Sequence, residues 1–387
     1  METLSSLMNN EIFILWLDAI FFFIFLATTL YILFFIIFSK KKRSDEYPKA
    51  IKKSRFCILI SLNYNNEDIL DTIKNLIKIS YPRDMYDIYI IPSTVVTDTT
   101  IQKIENLSAK IIVPTYKETI TKAKSIEYAV NYLIDSGIDY DACVILEPGD
   151  TIDENFLMKV NDAYCCGCVA IQTHRITKYI KTAEDELVSI SEEINNAIFR
   201  KGHTNIGLSS ALMKAGMVFD IEILRKYINT TNSRTFEKQL EESFLKTRIY
   251  IEYLDEVYTY NSLNYKKDGS LHRKEQFSRK FKFSAKSMFL PIALLNNNWD
   301  YSDKLIQWLL PSRFLLTLFI ILFSVMSSLN DWTMSIKWWA LLIILIITFI
   351  SAIPDYLVNN KLFKSILLFP FIILKIVILK AYHIFIK

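Results

Sequence analysis

Val144-Ile145-Leu146 runs straight into Glu147-Pro148-Gly149-Asp150. The apolar run reads as a buried strand, and two carboxylates follow at its end. Carboxylate oxygens placed there can ligate a hard divalent cation. In sheets built from alternating strands and helices, ligands bind at the carboxyl ends of the strands. The same four residues also read as a surface turn, because Pro-Gly is a common turn pair. Other residues suited to chemistry are Lys122 at the start of a helical stretch, and His174 in Gln172-Thr173-His174-Arg175 after an apolar run. Glu237 stands near Glu241 and Glu242, and Gln276 and Arg279 lie in a basic stretch. A carboxylate can act as a general base, and cationic side chains can steady an anionic leaving group. Each has a plainer reading too. Lys122 fits a basic helix turn, His174 a structural role, Glu237 a solvated helix charge and Arg279 a lipid-facing charge.

The surrounding pattern alternates strands and helices from Pro48 to about Tyr260. Phe56 to Leu62 is a short apolar run, as expected of a parallel strand buried on both faces. Glu67 to Ile79 has helical spacing, ended by Tyr81-Pro82. Asp87–Ile91, Lys110–Val113 and Cys143–Leu146 read as strands. Thr97–Leu107, Thr121–Ser136 and Asp153–Tyr164 read as helices. Such alternation implies right-handed crossovers and a mainly parallel sheet. With only seven glycines and no Gly-x-Gly-x-x-Gly after the first strand, a dinucleotide-binding Rossmann domain is disfavoured.

The 387 residues suffice for one large domain plus membrane elements. Ala19 to Phe38 carries no charge and is long enough to cross a bilayer. Lys40-Lys41-Lys42-Arg43 follows it at once, which marks the cytoplasmic end and puts the central block inside. A cleaved signal peptide competes, but its basic residues would precede the apolar run. Phe314–Leu329 and Trp338–Ile353 are two further spans. Ser365–Ile386 either spans or lies in the interface, with Lys375 and Lys380 snorkelling. Gln276–Leu295 reads as a basic amphipathic helix on the membrane surface. The net charge of +4 sits near membrane ends, which suits anionic lipid better than nucleic acid. Five cysteines lack a zinc-binding spacing and read as small buried core residues.

In order and spacing, several motifs resemble those of membrane-integrated family 2 glycosyltransferases, similar to cellulose synthase-like and poly-N-acetylglucosamine synthase-like enzymes. They are Lys122-Ala123-Lys124-Ser125-Ile126-Glu127-Tyr128-Ala129, Asp153-Glu154-Asn155-Phe156-Leu157 and Ala215-Gly216-Met217-Val218-Phe219. Glu192 to Asn196, Phe199 to His203 and Gly207 to Ala211 look like a bacterial subgroup. The resemblance implies an α/β GT-A fold, Rossmann-like and mainly parallel, with one N-terminal and two to three C-terminal transmembrane helices. The implied divisions are a membrane helix and basic flank (1–43), the GT-A domain (48–262), an interface segment (263–304) and a transmembrane region (305–387). It also implies inverting transfer from a nucleotide sugar, UDP-linked by analogy, to a glycan or lipid-linked acceptor. The setting would be envelope or exopolysaccharide synthesis at the bacterial inner membrane, with the domain in the cytoplasm.

By the same resemblance Glu237 is the base. Ser93, Lys122, Glu147, Asp150, Gln276 and Arg279 face the donor, His174 and Gly216 lie on the acceptor side, and Glu147 and Asp150 would hold Mg or Mn. The chain departs from the family at several points. Ser93 stands where an Asp is usual, Glu147 and Gly149 replace the two aspartates of Asp-x-Asp, and Lys280 replaces the Trp of Gln-x-x-Arg-Trp. A second expectation follows from those changes: a degenerate transferase that serves as membrane scaffold or partner to an active polysaccharide-synthesis subunit.

Overall fold

The computed structural model describes residues 2–41, 47–62, 67–92, 98–114, 121–177, 180–229, 235–261 and 285–358. Ser365–Ile386 and the Gln276–Ser284 part of the amphipathic stretch lie outside them.

A long helix, α1 (Glu2–Ser39), leads into a strand–helix series. Its elements are β1 (Phe56–Leu62), α2 (Glu67–Leu76), β2 (Tyr86–Pro92), α3 (Asp98–Glu105), β3 (Lys110–Ile111), α4 (Lys122–Asp135) and β4 (Ala142–Leu146). Then come β5 (Thr151–Ile152), α5 (Phe156–Cys165), β6 (Ala170–Thr177) and α6 (Ala183–Asn196). A π-helical turn (Ala197–Gly202) follows, then β7 (Met217–Asp220), α7 (Ile221–Ile228), α8 (Phe236–Lys246) and β8 (Glu252–Asn261). Next among the described residues come α9 (Leu290–Leu295), α10 (Trp299–Leu309), α11 (Arg313–Asn330) and α12 (Trp332–Ser351).

The eight strands among the described residues form one sheet in the order β3-β2-β1-β4-β7-β6-β8-β5. The first four are parallel, as the alternation predicts. Beyond β4 the sheet is mixed: β7 runs against β4 and β6, while β6 and β8 are parallel. Successive strand residues face opposite sides. Cys57, Leu59, Cys143 and Ile145 therefore join one core, with α4, α7 and α8. Ile58, Ile60, Val144 and Leu146 join the other, with α2 and α5. Apolar residues at every position of β4, and at all of β1 but Ser61, follow from having helices on both faces.

Among the described residues, three helices are long and apolar enough to cross a membrane: Phe13–Ser39, Arg313–Asn330 and Trp332–Ser351. Phe25, Ile32 and Ile36 pack with Leu316, Ile320 and Trp338 in a third core. The last helix starts six residues ahead of the expected Trp338, because the Asp331 side chain accepts a hydrogen bond from Thr333 N at 2.8 Å and caps it. At the same end of this bundle Lys337 Nζ pairs with the Asp18 carboxylate, and Trp338 Nε1 donates to it at 2.8 Å.

The π turn seats α1 beside the sheet region. Gly202 lies so near the backbone of Phe35 that a Cβ there would collide with the carbonyl oxygens of Phe35 and Ala197. The next residue, His203, stacks on the Phe35 ring at 3.6 Å and pairs with Asp303 of α10 at 2.9 Å.

One expectation is corrected. Cys57 and Cys143 are buried core residues, but Cys165 and Cys166 are exposed and Cys168 is half-buried. They fall at the end of α5 and in the turn at Gly167 (φ +96°) that leads into β6, outside the two cores that the sheet packs.

Candidate active site

The acidic turn is aimed by strand register. Residues 143 and 145 of β4 face α4 and α8, so Glu147 continues toward the first turns of those helices. Lys122 is the first residue of α4, capped by Thr121, and Glu237 lies in the first turn of α8. Lys122 Nζ sits 3.3 Å from Glu147 Oε1 and 3.3 Å from Glu237 Oε1. It also donates to the carbonyl of Lys214. A cation in the first turn of a helix opposes the helix dipole. The two carboxylates offset that cost here.

From the other side, Arg175 of β6 brings Nη2 to 3.6 Å from Glu147 Oε2 and 3.8 Å from Asp150 Oδ1. Its Nη1 lies 3.3 Å from Glu192 of α6. Burial pushes the Glu147 carboxyl up, but the charges of Lys122 and Arg175 outweigh it and hold the group below its ordinary range. Burial likewise disfavours the Lys122 ammonium, and Glu147 and Glu237 overcome that to raise its pKa. Asp150 behaves differently. It is fully buried, and Oδ2 accepts from Glu147 N at 3.0 Å, which closes the turn. Burial raises its pKa to about 7, Arg175 notwithstanding. Gly149 (φ +89°) supplies the left-handed step that lets the turn fold back.

The structure thus gathers Lys122, Glu147, Asp150 and Glu237 at the end of β4. His174 and Gly216 have other partners. His174 Nε2 meets Glu193 at 3.1 Å and Nδ1 meets Asp255 Oδ1 at 3.1 Å, with Lys201 on the other Asp255 oxygen at 2.5 Å. Gly216 (φ +72°) ties β4 to β6: its N–H donates to Ile145 O and its carbonyl accepts from Thr173 N. A Cβ there would fall on the Thr173 and Thr259 hydroxyls. Ser93, Gln276 and Arg279 lie outside the described residues.

Arg175 and its partner Glu192 stand in the sequence only as members of longer motifs, Gln172–Arg175 and Glu192–Asn196, with no donor-side role. The available signal was an arginine, next to His174, inside a strand whose other residues are apolar or neutral-polar, Ala170–Thr177. A charged residue in a buried strand needs a partner.

Mg or Mn requires several free oxygen ligands. The residues present do not fit that need. Glu147 is held by two cations, and one Asp150 oxygen is held by the backbone while the whole carboxyl is sealed from solvent. Among the described residues no three His, Cys, Asp or Glu side chains come together to hold a metal ion.

The His174 network has a pH signature. Burial disfavours the imidazolium, but Asp255 and Glu193 raise the His174 pKa to about 9, from 6.5. A raised folded-state pKa contributes stability that is complete below about 6.5 and lost as pH rises through about 9. Asp255, lowered to about 2, contributes stability that is present above 3.8 and lost as pH falls through about 2. His174→Gln is expected to flatten the decline in thermal midpoint between pH 6.5 and 9, measured by differential scanning fluorimetry. An unaltered decline would rule out His174 as its source.

No known family's sequence model matches this chain, and no curated protein sequence does. Solved structures do. The mannosyltransferase PcManGT from Pyrobaculum calidifontis, in complex with GDP-Man and Mn2+, superposes with a TM-score of 0.53. The match covers 87% of this chain and 96% of that one at 12% identity. The fold is GT-A. S. aureus TarS 1-349 in complex with UDP-GlcNAc aligns over 78% of this chain and 82% of its own, at 14% identity and a TM-score of 0.42. The likeness to the mannosyltransferase takes in the mixed, mainly parallel sheet and its flanking helices.

Proposed function

We infer that the protein is a membrane-held glycosyltransferase. It moves a sugar from a nucleotide sugar, UDP-linked by resemblance, to a glycan or lipid-linked acceptor with inversion. The reaction serves envelope or exopolysaccharide synthesis at the bacterial inner membrane, with the 48–262 domain in the cytoplasm. The observation that carries this reading is the convergence of Lys122, Glu147, Arg175 and Glu237 at the strand end of a GT-A sheet.

Glu237 takes the proton of the acceptor hydroxyl as its oxygen bonds to the anomeric carbon. The bond to the donor diphosphate breaks on the opposite side, and the electron pair leaves with the phosphate. Lys122, 3.3 Å away, holds the Glu237 carboxylate in position. Lys122 and Arg175 also lie where charge develops on the departing diphosphate.

A second reading rests on a specific observation. Glu147 and Glu237 share one lysine, and Asp150 is sealed, so the acidic turn is internally paired. That arrangement suits a transferase fold kept as a scaffold for an active polysaccharide-synthesis subunit. Turnover of detergent-purified protein across UDP- and GDP-sugars, with membrane glycan or lipid as acceptor, separates the two. Released nucleotide that depends on acceptor supports the enzyme. Absence of turnover together with co-purification of an active transferase supports the scaffold.

A further inference from the structure

The most informative disagreement lies between the acidic turn and the metal that its position would call for. We propose that Lys122 and Arg175 replace a divalent cation, so that the site binds a nucleoside diphosphate without metal and Glu147 occupies the phosphate position until it arrives. The proposal rests on the glycosyl-transfer reading, and specifies how the donor is held.

The geometry supports it in three ways. First, the two cations grip opposite oxygens of one carboxylate, Lys122 on Oε1 at 3.3 Å and Arg175 on Oε2 at 3.6 Å. A phosphate offers the same paired anionic oxygens to the same donors. Second, both cations are largely withdrawn from water, with side chains 17% and 7% exposed, while Glu147 is 30% exposed. The anion can move out, and the cations stay. Third, both cations are anchored by groups other than Glu147. Lys122 holds Glu237 and the Lys214 carbonyl, and Arg175 holds Glu192. They remain in place when Glu147 swings away. Asp150 cannot take over as a metal ligand, since its carboxyl closes the turn from inside.

A metal site and a fixed-cation site respond oppositely to one substitution. If Glu147 ligates metal, Glu147→Gln weakens donor binding. If Glu147 competes with phosphate for Lys122 and Arg175, the same change removes the competitor and tightens binding. The experiment is calorimetric titration of UDP and GDP into the full chain in detergent, once with EDTA and once with Mn2+. Glu147→Gln, Lys122→Met and Arg175→Gln are compared with the parent, with folding checked by circular dichroism. We expect binding in EDTA that Mn2+ does not improve. It should be about tenfold tighter in Glu147→Gln, and about tenfold or more weaker in Lys122→Met or Arg175→Gln. Binding that requires Mn2+ and is lost in Glu147→Gln would overturn the proposal but leave the transferase reading intact. Metal-free binding unchanged by Glu147→Gln overturns it as well. No binding under either condition, in folded protein, overturns both. Glu147→Gln is isosteric on a partly exposed turn, so the decisive arm survives if Lys122→Met fails to fold.

Discussion

Glu237→Gln is expected to lower sugar transfer by about 10²- to 10⁴-fold, the range of a lost general base. Nucleotide binding should barely change. Gln has nearly the same shape, and the neighbours that seat this turn of α8, Phe236 and Leu240, are buried apolar residues that the change leaves alone. Lys122 keeps Glu147 and the Lys214 carbonyl as partners, so no buried cation is stranded. The change therefore removes proton acceptance and little else. Steady-state turnover and calorimetric binding on the same preparation would test this. Transfer at the parental rate would mean that another group is the base. A joint loss of binding and turnover would mean that Glu237 positions the donor.

Gly202→Ala should produce the largest loss of stability, about 3 kcal/mol, at the upper end for overpacking. The added methyl meets two backbone oxygens, those of Phe35 and Ala197, and no flexible side chain that could yield. Either the π turn must open or α1 must move off the domain. Gly167→Ala is the control. A Cβ there meets nothing within 4 Å, so it carries only the left-handed backbone strain of φ +96°, about 1 kcal/mol. Thermal midpoints in the same detergent compare them. Equal midpoints would show that α1 is not seated through Gly202.

What could be read in the sequence was what depends on neighbours along the chain. The bounds of β1 coincide with the apolar run Phe56–Leu62. Those of α4 lie one residue inside the expected Thr121–Ser136, both of which cap it. The first four parallel strands follow from the alternation of apolar runs and helical spacing. The antiparallel half was hidden. β7 is four residues long and gets its direction from partners on both sides, which no local pattern encodes. The site divides the same way. An acidic turn after a buried strand was legible, and so were Lys122 and Glu237. That one lysine would bridge Glu147 and Glu237, 25 and 115 residues away, is a product of strand register. Arg175 reaches the turn only because β6 lies two strands from β4 with β7 between them. The start of α12 at Trp332 turned on its cap, Asp331, which stands ahead of the apolar run from Trp338.

The pairing of Asp18 with Lys337 has a consequence for how the protein is made. The partners are 319 residues apart, one in α1 and one in α12. A half-buried carboxylate beside an apolar helix is stabilised by a counter-ion and a hydrogen-bond donor, and Asp18 has both only in the finished chain. While the ribosome is still building the sheet, α1 therefore carries a carboxylate without its counter-ion. The π turn and α11 reach α1 earlier, but only when Lys337 and Trp338 emerge can its carboxylate be paired. A chain that stalls before Trp332 leaves Asp18 without either partner, so this end of the helix bundle is the last to be completed.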